Sequence, residues 1–445
     1  MLEPGEPNAE RRAESQSLGR RRLLGLTGGA ALLLTGCGQD GTAGSGRSDS
    51  GSSGGGGGSG SGGGSGGDTG HGARLAAPEG VLGANFNEEP RGITAAVLDD
   101  LRTKWVRGFV AMPDLDTVEA PRQPAISSLL SFAGSGYGTV LSLKFPYQSK
   151  PLPQPGTSAM DTELARVDKV LDAVLDKVSL LVIGNEPFFE TRKEDRATLL
   201  NPFYKAVAAH VIAERKKRYG SDCRTSLYMG ALNRLEDPDW RTPAVDGWLA
   251  HVKATPEIEG VDIHPHVTSL DNAEAYTDYV LPRIRSEQRF LATEFSLVRW
   301  WKLHWNDSVP AVYASRYGVP ADTPVWQEAR DAAAKPVSQR RWRDLLMNSR
   351  WFASREDYLT DQVEQFRATG RLAVATYGAL QQPPMVRDIG RIKPPWLLNS
   401  LYANLVAQPS ANGDMAHNPA FFDTFRALQD SSAESSAESS GSSGS

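Results

Sequence analysis

The chain has 445 residues, 40% of them hydrophobic, which is material for one large domain or two ordinary ones with a sizeable core. Its net charge is −5 and, outside the first residues, the two signs are not segregated; this argues against a nucleic-acid partner and suits a neutral substrate. Only two cysteines are present, Cys37 and Cys223, so no disulfide framework holds the fold together.

In chain order, residues 1–22 are polar and carry Arg11, Arg12, Arg20, Arg21 and Arg22, and the apolar run Leu23 to Leu34 leads into Thr35-Gly36-Cys37. That run is too short for a permanent membrane span and fits the core of a signal peptide. Arg20-Arg21 resembles a twin-arginine export signal, and Leu34-Thr35-Gly36-Cys37 resembles a lipoprotein processing box. The resemblance implies that Cys37 is lipidated and becomes the mature N-terminus, which puts the protein outside the cytoplasm with the membrane as a partner. Residues 38–74 are mostly Gly and Ser and read as a flexible tether. The tail 431–445, built on Ser-Ser-Ala-Glu, reads the same way. With Cys37 committed to lipid, Cys223 has no partner and reads as a buried small apolar residue.

Between them, residues 75–430 alternate strand and helix patterns. Candidate strands are Val81–Asn87, Lys104–Met112, Thr139–Phe145, Leu180–Gly184, Thr225–Leu232, Gly260–His264, Arg289–Glu294 and Leu372–Tyr377. Leu164, Val167, Leu171, Val174, Leu175 and Val178 recur at helical spacing and predict an amphipathic helix. Asn201-Pro202 reads as a cap and first turn, Lys216, Lys217, Arg218 and Gly220 as a basic last turn and stop, and Asp271 with Glu274 as a capping box. Eight strands with helices between them, and no Gly-rich dinucleotide loop after the first, predict an α/β fold of the (β/α)8 TIM-barrel type. The stretch 298–356 is too long for one connection. It reads as an elaborated loop after strand seven with its own helices, one placing Trp342, Leu345, Leu346 and Ser349 on a shared face.

Two strands end in acids. Leu180-Leu181-Val182-Ile183 breaks at Gly184 into Asn185-Glu186-Pro187, and Phe290-Leu291-Ala292-Thr293 runs into Glu294. An unpaired buried carboxylate costs several kcal/mol, so an acid here is paired, protonated or at the open end of the barrel, where substrate reaches it. Parallel strands point their C-terminal ends at one rim, so Glu186 and Glu294 are expected to share a cavity. Cleavage of a glycosidic bond needs such a pair, one carboxyl group to protonate the leaving oxygen and one to attack or to activate water.

Asn185-Glu186 after a fourth strand and Glu294 at the end of a seventh resemble clan A of the glycoside hydrolases, retaining enzymes on (β/α)8 barrels. The likeness implies that Glu186 is the acid/base, Glu294 the nucleophile and Asn185 a donor to the sugar 2-hydroxyl. Arg107, in Lys104-Trp105-Val106-Arg107-Gly108-Phe109, is similar to the second-strand arginine that steadies the nucleophile. Where the clan often has tyrosine after strand six and tryptophan at the end of strand eight, this chain has Asp262-Ile263-His264-Pro265-His266 and Ala375-Thr376-Tyr377-Gly378. His264 and His266 are therefore expected to line the site and Tyr377 to offer a platform for a sugar ring. Six of the ten tryptophans, Trp300, Trp301, Trp305, Trp326, Trp342 and Trp351, fall in the long loop. They suit either sugar stacking or a small core of the insertion, with Trp300 and Trp301, nearest Glu294, the candidate sugar contacts. The scheme needs no cofactor and no metal. Two other readings stand beside it: a noncatalytic carbohydrate-binding lipoprotein on the same barrel, and a metal-dependent hydrolase built on His264 and His266.

Overall fold

The computed structural model describes residues 78–86, 90 and 92–429, all within the unit Thr69–Ser445. The leader with Cys37, the tether 38–74 and the tail 431–445 lie outside the described residues. Eight parallel strands close into a barrel in sequence order: β1 Val81–Asn85, β2 Trp105–Ala111, β3 Gly138–Lys144, β4 Leu180–Ile183, β5 Ser226–Asn233, β6 Ile258–His264, β7 Arg289–Ala292 and β8 Leu372–Gly378. The expected (β/α)8 barrel is thus the observed fold. All eight expected strands are present, with ends shifted by at most a few residues.

The strand period of two sorts the side chains into two separate apolar clusters. Val140, Leu180, Val182, Tyr228, Leu291 and Val374 form the smaller one, inside the barrel. Leu141, Leu181, Ile183, Val261, Phe290 and Tyr377 belong to the larger shell between strands and helices. Towards the C-terminal ends the inward positions change from apolar to polar, as Val140 gives way to Ser142 and Val374 to Thr376, and this change creates the floor of the site.

The helix Ser158–Val174 begins at Thr157, whose hydroxyl accepts from Met160 N at 3.3 Å, and buries Val167, Leu171 and Val174 on one face. The helix Leu200–Tyr219 ends in the expected basic turn, and Gly220 follows with φ of 61°. Two expected caps are corrected. Asn201 lies inside that helix and its Nδ2 donates to the Ala244 carbonyl (2.8 Å), and the helix Leu270–Val280 is capped by Ser269 rather than Asp271. Polar residues adjacent to a helix start are interchangeable in pattern, and tertiary contacts decide which one caps. The insertion after β7 carries the helices Val298–His304, Ala311–Tyr317, Val325–Ala334, Gln339–Met347 and Arg350–Ala353. Trp342, Leu345, Leu346 and Ser349 are buried together there, as their spacing predicts. Cys223 is buried. Among the described residues no helix is long and apolar enough to cross a membrane.

Candidate active site

β4 ends at Ile183, and Gly184 takes φ of 114°; a Cβ there would lie 2.1 Å from the Gly230 carbonyl oxygen, so only glycine lets the chain turn so close to β5. The turn carries Asn185 and Glu186 to the mouth, and Pro187 then starts the short helix Pro187–Glu190. β7 ends at Ala292, and Thr293 and Glu294 follow it to the same rim. Both glutamate side chains keep about a fifth of their surface open, 21% for Glu186 and 20% for Glu294.

Arg107, fully buried on β2, organises the floor. Its Nη1 donates to Glu294 Oε1 (2.5 Å) and Asn85 Oδ1 (3.2 Å), its Nη2 to Asn185 Oδ1 (2.6 Å) and Ser142 Oγ (3.2 Å), and its Nε to Ser142 Oγ (3.3 Å). All five N–H groups of the guanidinium are used. Asn185 is held from its other end as well, because its Nδ2 donates to Glu190 Oε1 (2.9 Å). Both ends of this amide are therefore fixed, with one N–H left for a ligand.

Glu186 faces His264, the last residue of β6, and Glu294 faces His266, two residues beyond it. His264 Nδ1 lies 3.3 Å from Glu186 Oε1, and His266 Nε2 lies 3.7 Å from Glu294 Oε2. Behind His264, its Nε2 is 2.9 Å from Thr293 Oγ1, and Thr293 Oγ1 donates to Asp262 Oδ2 at 2.5 Å. Since the threonine proton goes to Asp262, Thr293 accepts from His264 and Nε2 is the protonated nitrogen. His266 is held through Nδ1 by Ser296 Oγ (2.8 Å), and its ring meets Trp396 edge-on at 4.8 Å. Thr376 Oγ1 donates to the Thr293 carbonyl (2.6 Å) and ties β8 into this network.

The electrostatics follow from these contacts. Burial acts to raise the Glu294 carboxyl, but the charges of His264 and Arg107 and the hydrogen bond from His266 outweigh it and hold Glu294 well below the usual carboxylate range. Burial also acts to raise Glu186, and its bond to His264 overcomes this, so Glu186 is lowered too. His264 responds in reverse: burial acts to lower it, and the charge of Glu294, the bond to Glu186 and the charge of Asp262 raise it above the ordinary histidine value. The contact between the two groups thus lowers Glu186 and raises His264 together. Glu190, buried under Asn185, is raised mainly by desolvation, against Lys144 and Asn185.

No protein-family model matches this chain, and no curated protein does. Among solved structures it is similar to an endo-β-1,4-xylanase of glycoside hydrolase family 10 from Gloeophyllum trabeum, with a TM-score of 0.44 and 15% identity over 80% of this chain and 98% of that one. It is also similar to a glucosidase from Croceicoccus marinus, with a TM-score of 0.43 and 12% identity over 80% and 68% of the two chains. A psychrophilic family 10 endo-β-1,4-xylanase gives 0.42 and 9% over 67% and 85%.

The structure gathers Glu186, Glu294, Asn185, Arg107, His264 and His266 around one mouth. Two expected contacts, Tyr377 and Trp301, are corrected. Tyr377 has no exposed surface, and its ring packs on Phe295 (5.1 Å) and Phe421 (6.1 Å); period-two alternation turns Thr376 inwards and sends Tyr377 into the helix shell. Trp301 is likewise fully buried, against Phe352 and Phe421. Trp300 is half-buried within the insertion, where its ring meets His304, its Nε1 donates to the Trp351 carbonyl (2.9 Å) and Arg355 lies over its face. The tryptophans next to Glu294 pack within the insertion, and the ring that meets His266 is Trp396, from the segment after β8. Glu190, Ser142, Asn85, Thr293 and Ser296 also belong to the site without having been singled out by sequence. For Thr293 and Ser296 a signal existed, since they lie one residue before and two residues after Glu294.

Proposed function

We propose that the barrel is a retaining glycoside hydrolase that cleaves O-glycosidic bonds of an extracellular glycan, with Glu294 as nucleophile and Glu186 as acid/base. One observation carries the reading: two glutamates from opposite sides of the barrel meet one histidine pair, and Arg107 binds the first while sparing the second. The geometry divides the roles. Glu294, held ionised and aimed by Arg107, attacks the anomeric carbon, forming a covalent glycosyl ester while the bond to the leaving oxygen breaks. Glu186 passes a proton to that oxygen, with His264 as the neighbouring store. When Glu294 becomes an ester its charge disappears, and with it the strongest support for a proton on His264, so the proton moves towards Glu186 and the leaving group as the bond breaks. Glu186, left ionised, then takes a proton from water, and the resulting hydroxide equivalent opens the ester with net retention. Asn185, fixed by Arg107 and Glu190, keeps one N–H for the sugar 2-hydroxyl. A noncatalytic sugar-binding barrel would have no need of two carboxylates wired separately to histidines.

The protein is further proposed to be a lipoprotein exported from the cytoplasm and tethered through Cys37, with the tether holding the barrel away from the membrane and a carbohydrate as its partner. The test of function is hydrolysis of a broad panel of aryl glycosides and polysaccharides by residues 75–430, with Glu294→Ala as the control. Release of sugar by the wild type and none by the variant supports the reading; no release from any substrate, together with tight binding of a glycan, favours the noncatalytic alternative.

A further inference from the structure

The histidine pair has a second consequence, which depends on which nitrogens are already spoken for. Each ring has one nitrogen tied to a buried hydroxyl, His264 Nε2 to Thr293 Oγ1 (2.9 Å) and His266 Nδ1 to Ser296 Oγ (2.8 Å). The other nitrogen of each ring faces a carboxylate oxygen, at 3.3 Å from Glu186 Oε1 and at 3.7 Å from Glu294 Oε2. Because Thr293 gives its own proton to Asp262, the remaining nitrogen of neutral His264 offers a lone pair towards an anionic oxygen. Something electropositive has to lie between them. A proton serves, and so does a metal ion.

A histidine whose far nitrogen is fixed by a hydrogen-bonding partner, which itself leans on a carboxylate, is oriented as metal-binding histidines are. Glu186, His264 and His266 each offer one ligand atom, all within 4.8 Å of one another. Arg107 occupies Oε1 of Glu294 and leaves Oε2 3.7 Å from His266 Nε2, which puts a fourth candidate ligand beside His266. Bonds of about 2.0–2.2 Å in a tetrahedron put ligand atoms roughly 3.3–3.5 Å apart. The 3.3 Å gap already matches and the 3.7 Å gap is slightly wide, while within the group of Glu186, His264 and His266 no gap exceeds 4.8 Å, so closure there takes at most roughly 1.3–1.5 Å, within reach of the partly open Glu186 side chain. Two imidazoles with two carboxylates form a donor set for zinc or a similar divalent transition metal rather than for magnesium or calcium, which take oxygen ligands.

We propose that Glu186, His264, His266 and Glu294 bind a divalent transition-metal ion of the zinc class, and that the bound ion stops glycoside cleavage by occupying both carboxylates. The second half rests on the function proposed above; the first does not. It differs from a metal-dependent hydrolysis because the ion would take the lone pairs that attack and proton transfer need.

The test is calorimetric titration of the chelator-treated, full-length protein with Zn²⁺, repeated with Co²⁺ for its visible spectrum. One equivalent is expected to bind with an intense four-coordinate cobalt spectrum. His266→Ala and Glu186→Gln should each lose that spectrum and weaken zinc at least tenfold. Ser296→Ala, which removes the hydroxyl that orients His266 and also accepts from Val298 N (3.3 Å), should weaken it about 10- to 100-fold. His266 is at the rim, so its variant should fold, and unchanged circular dichroism checks this. Absence of a stoichiometric site, or binding that survives His266→Ala and Glu186→Gln undiminished, overturns the proposal. Hydrolysis should fall with zinc at the concentration that fills the site and return with a chelator. Hydrolysis unaffected by saturating zinc, or dependent on it, overturns the inhibitory half. Zinc bound as described in a protein that cleaves no glycoside with or without metal would refute the proposed function and leave the metal site standing.

Discussion

Replacing Arg107 with methionine removes the guanidinium that ties the floor of the site together while keeping much of the side chain's apolar length. Glu294, Asn185, Asn85 and Ser142 all accept from this guanidinium, and Arg107 itself has no exposed surface. Breaking a buried pair by taking away one partner costs about 3–5 kcal/mol, because the remaining charge is left uncompensated. The loss should therefore be at the upper end for a single substitution, and Arg107→Lys should recover only part of it, since an ammonium has three donors in place of five. Urea denaturation of Arg107→Met, Glu294→Gln and the double variant separates the pair from the rest of the network. Once Arg107 is gone, neutralising Glu294 relieves the stranded charge, so the double variant should be more stable than the sum of the two losses by about 1–3 kcal/mol. The acid limb of hydrolysis should also move to higher pH in Arg107→Met. Burial acts to raise Glu294, and Arg107 follows His264 among the charges that keep it low. Additivity to within about 0.5 kcal/mol, or a Met variant as stable as the wild type, would refute the role of Arg107 as the organiser of the site.

Three further outcomes follow from other contacts. Glu190 is a buried carboxyl raised chiefly by desolvation, so its contribution is favourable below the unfolded carboxylate value of about 4.3 and is lost as pH rises through the higher folded value. Glu190→Gln, which keeps an acceptor for Asn185, should thus gain melting temperature over the wild type at pH 8 and lose that gain near pH 4; a difference that does not change with pH would be inconsistent with a charged, buried Glu190. Trp301→Ala should cost about 3–5 kcal/mol of stability, since the ring fills the insertion core, and leave KM for a glycan unchanged; a raised KM without loss of stability would return it to the sugar site. Cys37→Ser should leave the precursor unprocessed, and mass spectrometry of the wild type should find lipid on Cys37; a wild-type protein without lipid removes the tether.

Much of this architecture was legible because strand order and rim position are written into hydrophobic periodicity. The apolar run before Asn185-Glu186 and the acid after Phe290–Thr293 point to one mouth, and Arg107 stands out through its likeness to the second-strand arginine of the clan. Partners were harder to see. Ser142 and Asn85 are small polar residues on inward strand positions, and nothing in a sequence distinguishes them from ordinary strand-end residues until the barrel closes. Tyr377 failed as a platform because its neighbour Thr376 holds the inward position, a matter of one residue in register. Trp396 reaches His266 from a segment far along the chain, so nearness in sequence does not reveal it, whereas Trp301, close to Glu294 in sequence, is turned into the insertion. The histidines were visible as a pair, but their pairing with separate glutamates is set by Thr293 and Ser296, whose role depends on side-chain geometry.

The most direct test of divided roles is the anomeric configuration, by NMR, of the glycosyl azide formed when azide is added to Glu186→Ala and to Glu294→Ala with an activated aryl glycoside. Without the acid/base, an activated leaving group still departs and azide opens the ester on Glu294, so the product should keep the substrate's configuration. Without the nucleophile no ester forms, azide attacks the substrate directly, and the product should be inverted. The same configuration from both variants, or wild-type turnover in either, would contradict the assignment of Glu294 as nucleophile and Glu186 as acid/base.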